Sequence, residues 1–353
     1  MSTVAILGAG IMASALTVPL SRNGHRVHLV GTHLDREIID SIQRTGVHPN
    51  LDVELPETVT AYQLEDAAQA FDGAEVAMSG VNSFGVHWAG EQLATLLRPG
   101  MKVLSVTKGM EADEAGNMRI LPDVLIDAVG PELAGQVTWS AIVGPSIAGE
   151  VAVEHDTAVV FTGTDQDSLD HLAQMFRTDV YHVWTSTDFV GHEIGAATKN
   201  VYAFAAGFME GLLDVAGESE ARYRRYNYGA AVFAQGSREM LRFMELLGGD
   251  RETVTGLAGV GDMFVTSMGG RNVRAGRYVG AGVPFSEVRD QHMKGVTLEG
   301  VAAIKVIGEA IEKLTERGEV DAEDFPLLRH LYAIIARDEP LDMPFELFFD
   351  GMG

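Results

Sequence analysis

The sequence predicts an α/β N-terminal domain followed by an all-helical C-terminal domain. Three observations carry that prediction. Short apolar runs alternate with helical periodicity from residue 3 to about residue 188. A glycine turn joins the first apolar run to the first helical pattern, and beyond Gly191 strand signals nearly vanish. The expected domains are residues 1–188 and 189–353, and a chain of 353 residues has ample room for two cores.

Thr3–Leu7 reads as a strand, followed by Gly8-Ala9-Gly10-Ile11-Met12-Ala13 and then a helical pattern to about Gly24. Arg26–Val30 is the next strand. In the context strand, G-x-G-x-x-A, helix, strand, each small residue has a mechanism. Gly8 permits the turn, Gly10 lets backbone approach a pyrophosphate, and Ala13 allows close helix–strand packing. Ile11 and Met12 open a helix whose N-terminus faces the phosphates. The N-terminal domain is thus expected to be a Rossmann-type dinucleotide-binding domain.

The second strand ends in Gly31-Thr32, without the acid that an NAD site normally places at the strand tip. Thr32, His33 and Arg36 offer groups for a 2′-phosphate, while Asp35 stands near enough to oppose it. NADP is therefore favoured over NAD. Further strands are expected at Val59–Tyr62, Ala74–Ser79, Lys102–Val106, Val137–Val143, Thr157–Thr162 and Val180–Trp184. Helices are expected through about Leu97, around Arg119–Ala128 and over Asp167–Phe176. Gly80–Ser83, Lys108 and Gly144–Glu150 follow strand ends, where open α/β sheets bind ligands. Lys108 is a candidate for contacting a substrate oxygen or phosphate, and Ser146 brings a hydroxyl to a second glycine turn.

The helical domain is organised around Gly191–Gly211, which reads as one long helix. Small residues crowd it, and Ile194, Val201, Phe204 and Phe208 recur at helical spacing. Lys199 and Asn200 lie within this apolar stretch. A lysine buried there would have its pKa lowered by desolvation and would be a usable proton carrier; a lysine at the helix edge would reach water instead. Helical patterns continue through Tyr228–Leu247, Arg251–Leu257, Leu298–Leu314 and Phe325–Ala336. The segment Gly217–Tyr228 is charged and aromatic, as in a loop or an exposed helix start.

Composition narrows the function classes. The net charge is −24, which argues against a nucleic-acid surface and against anchoring to anionic membranes. With no cysteine, disulfides, thiolate metal sites and cysteine nucleophiles are excluded. The N-terminus lacks a basic segment and cleavage site, and no uncharged apolar run reaches the roughly 18 residues needed to span a bilayer. A cytoplasmic location is expected. No metal-binding motif is present, so no metal is expected. A homodimer is expected on general grounds.

Gly259–Thr266 places Asp262 and Thr266 one helical turn apart. Gly269-Gly270-Arg271-Asn272 adds a guanidinium and an amide after two glycines, suited to binding a phosphate. Together with a nicotinamide site and Lys199, these residues describe a small phosphorylated alcohol held for hydride transfer. The stretches ILGAGIMASAL, SVTKGME, GPSIAGEVA, GHEIGAATKNVYAFAAG, GLAGVGDMFVTSMGGRN and TLEGVAA occur in one order over residues 3 to 303. In them the chain resembles the NAD(P)-dependent glycerol-3-phosphate dehydrogenase family.

That resemblance implies interconversion of sn-glycerol 3-phosphate and dihydroxyacetone phosphate, supplying glycerol 3-phosphate for phospholipid synthesis. It implies that Lys199 is the general acid/base and that Lys108 contacts substrate beside the nicotinamide. Asn200, Asp262 and Thr266 would orient the glycerol portion and Lys199. Arg271 and Asn272 would bind the phosphate, with Arg271 also near the cofactor. Gly144 and Ser146 would line the substrate side, while Ala148 and Glu299 would face the cofactor. The chain departs from the family pattern at Ala13, at Gly80-Val81-Asn82-Ser83 and in a longer, more basic Gly217–Asn227 segment. These departures leave open a longer polyol phosphate, such as a tetritol phosphate, as substrate. A non-catalytic NADP-binding sensor is the reading from another class.

Overall fold

The computed structural model describes residues 1–217, 220 and 222–349. They divide into two compact units, residues 1–108 with 121–189, and residues 109–120 with 190 onward. The first unit is built on an eight-stranded sheet. Its strands are β1 (Thr3–Leu7), β2 (Arg26–Val30), β3 (Val59–Tyr62), β4 (Val76–Ser79), β5 (Lys102–Ser105), β6 (Thr138–Val143), β7 (Thr157–Gly163) and β8 (Tyr181–Ser186). Their spatial order is β3-β2-β1-β4-β5-β6-β7-β8. All neighbours are parallel except β6 and β7, which are antiparallel. The order reverses between β1 and β4, and the crevice at such a reversal is where open α/β sheets take their ligands.

Successive residues of β1 serve opposite faces. Val4 and Ile6 enter one apolar core, and Ala5 and Leu7 enter the other. All are fully buried, as a central parallel strand covered on both faces requires. Helices α1 (Ile11–Ala15) and α2 (Thr17–Arg22) follow β1, and α3 (Arg36–Thr45) follows β2. A two-stranded ribbon, Val47–His48 with Val53–Glu54, leaves α3. Its strands are too short for any alternation to announce them in the sequence.

The second unit holds α4 (Phe189–Asp214, whose first residue belongs to the sheet unit), α5 (Tyr226–Leu247), α6 (Asp262–Ser267), α7 (Arg271–Gly280), α8 (Glu299–Glu316) and α9 (Pro326–Arg337). The centre of α4 is almost wholly buried, including Ile194, Val201, Phe204 and Phe208. Helices α4 and α7 meet backbone to backbone. A Cβ on Gly207 or Gly211 would overlap α7, and one on Gly276 or Gly280 would overlap α4. This explains the small-residue content of α4 as a packing requirement.

Two expectations are corrected. The helix expected around Arg119–Ala128 begins only at Leu121; Met118–Ile120 instead pairs antiparallel with Met110–Ala112. That hairpin belongs to the second unit, which is therefore not purely helical. Met110 and Ile120 are buried in its core, and Arg317 at the end of α8 donates to the Ala115 carbonyl in the hairpin turn. The Arg251–Leu257 pattern is a short 3₁₀ turn at Arg251–Thr255 followed by a separate irregular turn at Leu257–Gly261. Within the Gly217–Asn227 segment, Glu218, Ser219 and Ala221 lie outside the described residues.

Candidate active site

In the first unit the strand–turn–helix junction is built as a cradle. Gly8 has φ of +109°, and a Cβ there would stand 2.9 Å from the Gly80 carbonyl carbon. A Cβ on Gly10 would meet only the Gly80 oxygen, at 3.6 Å, an ordinary contact. Nothing among the described residues therefore demands glycine at position 10, and its bare backbone is open to close approach by a ligand. No side chain caps α1 at Gly10, so the N–H groups of its first turn, from Ile11 and Met12 on, are left for an outside acceptor. These features fit a dinucleotide pyrophosphate.

The peptide of Ala9 is held from both sides. Its N–H donates to Asp35 Oδ2 at 3.2 Å, and its carbonyl accepts from His48 Nε2 at 3.0 Å. His48 is fully buried, and its Nδ1 accepts from the Leu51 N–H at 3.1 Å, which leaves the ring proton on Nε2. Asp35 Oδ2 also takes the Thr32 N–H at 2.9 Å and the Thr32 hydroxyl at 2.8 Å. Asp35 is thus turned toward the glycine loop. Arg36 pairs with Glu65, and the His33 ring lies edge-on to Trp88 at 5.5 Å. Ala13 is buried beside Gly80, where a Cβ would come within 2.6 Å of the Ala13 methyl. The unusual Gly80 thus matches the alanine at the third fingerprint position.

The loops after β5 and β6 come together. Lys108 Nζ donates to the Gly144 carbonyl at 3.0 Å. Ser146 does not join them through its hydroxyl, which contacts Met12 Sδ at 3.7 Å, at the start of α1. Ala148 is buried in the core that also takes Ala13.

In the second unit, Lys199 is 9% exposed in the middle of α4, and its ammonium is ion-paired with the Asp262 carboxylate on α6. Asp262 is 1% exposed. The lysine is thus buried, but it is paired, so desolvation alone does not describe it. Thr266, one turn along α6, donates its hydroxyl to the Asp262 backbone carbonyl at 2.7 Å and lies 3.4 Å from the carboxylate. Arg271 is exposed at the start of α7, with Glu299 Oε2 3.9 Å away. Asn272 Oδ1 accepts from the Gly300 N–H at 3.0 Å, while Nδ2 has no protein partner among the described residues. A methyl on Gly300 would overlap the Asn200 carbonyl, so Asn200 and Asn272 flank one glycine.

The sequence reading missed His48, the loop-tying role of Asp35, and Gly300. All three act on peptide groups, and no side-chain motif marks such a role. Among the described residues, no group of three or more His, Asp or Glu could hold a metal ion. No described helix is long and apolar enough to cross a membrane.

Comparison with known proteins agrees with this layout. Residues 3–169 match the family model for the NAD-dependent glycerol-3-phosphate dehydrogenase N-terminus, and residues 188–346 match the model for its C-terminus. The chain is 33% identical to an NADP(+)-dependent glycerol-3-phosphate dehydrogenase of Archaeoglobus fulgidus, covering 94% of each chain. It is 33% identical to a glycerol-3-phosphate dehydrogenase [NAD(P)+] of Lysinibacillus sphaericus, covering 96% of this chain and 93% of that one. The crystal structure of the glycerol-3-phosphate dehydrogenase of Coxiella burnetii superposes with a TM-score of 0.77 at 28% identity, covering 98% of this chain and 97% of the other. With a glycine cradle on one unit, a buried Lys199–Asp262 pair on the other, and matches over both halves, the chain belongs to the NAD-dependent glycerol-3-phosphate dehydrogenase family.

Proposed function

We propose that this chain is an NAD(P)-dependent glycerol-3-phosphate dehydrogenase, interconverting sn-glycerol 3-phosphate and dihydroxyacetone phosphate. One observation carries the assignment of residues. Lys199, paired with Asp262 of α6, sits on α4 one residue from Asn200, whose backbone meets Asn272 of the Arg271–Asn272 pair across Gly300. A proton carrier and a phosphate clamp are thus built on touching elements of one unit.

In this reading Arg271 and the Asn272 amide nitrogen hold the substrate phosphate. Lys199 Nζ lies at the C2 oxygen. In oxidation Lys199 begins as the neutral amine and takes the hydroxyl proton as the C2–H bond breaks; in reduction the ammonium so formed returns that proton to the oxygen of the former ketone. Asp262 fixes the position of Nζ and balances its charge, and Thr266 braces Asp262. Asn200 orients the glycerol hydroxyls, and Lys108, whose Nζ is set against the Gly144 carbonyl, is the further substrate contact. The bound dinucleotide would supply the hydride acceptor and donor, held by Gly8, Gly10, Ile11, Met12 and Ala13, with Ala148 beside it.

NADP is the favoured cofactor in this proposal. Asp35 is occupied by the glycine loop and by both Thr32 donors, and His33 and Arg36 are the groups left for a 2′-phosphate once Arg36 exchanges Glu65 for it. A cytoplasmic homodimer supplying glycerol 3-phosphate for phospholipid synthesis completes the reading. The decisive assay follows nicotinamide absorbance with purified protein, dihydroxyacetone phosphate and low NADPH or NADH. Turnover with NADPH preferred is expected. Turnover only with a tetritol phosphate would replace the substrate, and binding of NADPH without any turnover would point to a sensor.

A further inference from the structure

We propose that Gly300 is a positioning residue for the substrate phosphate: its backbone N–H turns the Asn272 amide so that the nitrogen end faces the anion. The inference rests on the reading of Asn272 as a phosphate ligand.

Helix α8 runs for 18 residues from Glu299, and no side chain at its own N-cap position, Leu298, accepts from its first turn. That turn begins with orphan N–H groups that need acceptors. One acceptor comes from another helix: Asn272 Oδ1 takes the Gly300 N–H at 3.0 Å. An amide side chain has one oxygen end and one nitrogen end, and this bond commits the oxygen. The two N–H donors of Nδ2 remain, with no partner among the described residues. An unengaged Asn272 would present either end, and its oxygen would repel a phosphate.

The requirement for glycine follows from the same contacts. A Cβ at position 300 would overlap the Asn200 carbonyl of α4 and stand 2.8 Å from Asn272 Cγ and 2.9 Å from its oxygen. The α4 carbonyl belongs to a buried, hydrogen-bonded helix and yields little; the Asn272 side chain is half-buried and swings. Glu299, the preceding residue, faces Arg271 at 3.9 Å. The first two residues of α8 therefore touch both members of the phosphate pair.

The test compares wild type, Gly300→Ala, Asn272→Asp and Asn272→Ala on two ketones, dihydroxyacetone phosphate and dihydroxyacetone, and measures inorganic phosphate binding by calorimetry. Gly300→Ala is expected to raise KM for the phosphorylated ketone about tenfold or more and to weaken phosphate binding in parallel. Because the added methyl also meets the Asn200 carbonyl, kcat/KM on the unphosphorylated ketone falls as well, but by at least about fivefold less. Asn272→Asp keeps the acceptor for Gly300 and loses the donors, so it retains the wild-type Tm while losing phosphate affinity; Asn272→Ala loses both. Equal losses on both ketones, or equal Tm values for the Asp and Ala variants, overturn the proposal, as does wild type that binds no phosphate. Phosphate binding that depends on Gly300 in a protein inactive on both ketones would sustain the inference and overturn the proposed substrate.

Discussion

Lys199 and Asp262 illustrate how far a single residue can be read from sequence. The lysine was legible as a candidate because an apolar, small-residue helix offers few neighbours that would carry it to solvent, with a helix-edge lysine reaching water as the alternative. Its partner was legible only as a carboxylate of the helical domain, since the two lie 63 positions apart. Removing either member leaves the other charge buried, at a cost of about 3–5 kcal/mol. Loss of activity in Lys199→Ala alone would therefore not separate catalysis from folding. The double variant Lys199→Met/Asp262→Asn removes both charges. It is expected to be more stable than Lys199→Met and to remain about 10²–10⁴-fold slower than wild type. Thermal melting and turnover measured side by side check this; recovered activity in the double variant would remove Lys199 from the proton path.

At the scale of elements, the long regular ones were legible and the short ones were not. Helix α4 repeats its apolar positions at helical spacing, and the central strands of the sheet show as apolar runs because both their faces are buried. The hairpin at 110–120 offers two three-residue strands, and its side chains are fixed by the core they join. The start of α9 shows the same dependence on distant residues. Glu239 of α5 is fully buried and accepts from the Leu327 N–H at 2.7 Å, the Leu328 N–H at 2.9 Å, Gln235 at 3.0 Å and the Tyr202 hydroxyl at 3.1 Å. Tyr202 is one turn beyond Lys199, so this carboxyl ties α4, α5 and α9 together. Burial pushes its pKa up from 4.5 to about 7, although the four donors pull the other way. A carboxyl with a raised folded pKa stabilises most below its unfolded value, and that contribution fades as pH rises through the folded value. The fold should thus lose about 3 kcal/mol from this group between pH 4.5 and just above pH 7. Denaturant midpoints of wild type and Glu239→Gln across that range give the check. The advantage of wild type should shrink with rising pH; an advantage independent of pH would show that the four donors hold the carboxylate ionised throughout.

Across the whole molecule, the sequence conveyed the division into a sheet domain and a mainly helical one. It concealed that residues 109–120 leave the first to join the second. It also conveyed a net charge of −24, whose consequence depends on the site. Dihydroxyacetone phosphate and NADPH are both anions, and the proposed phosphate ligand Arg271 is a local positive group in an acidic field. The field acts over the Debye length, which falls from about 30 Å at 0.01 M salt to about 8 Å at 0.15 M. Contact between Arg271 and a phosphate acts over a few ångströms and is screened much less. Added salt should therefore remove the long-range repulsion before it weakens the clamp, and kcat/KM for dihydroxyacetone phosphate should rise a few-fold over that range. Uncharged dihydroxyacetone, measured at saturating NADPH, should show no such rise. A fall in kcat/KM from the first addition of salt would mean that the basic groups at the site outweigh the net charge of the chain even at long range.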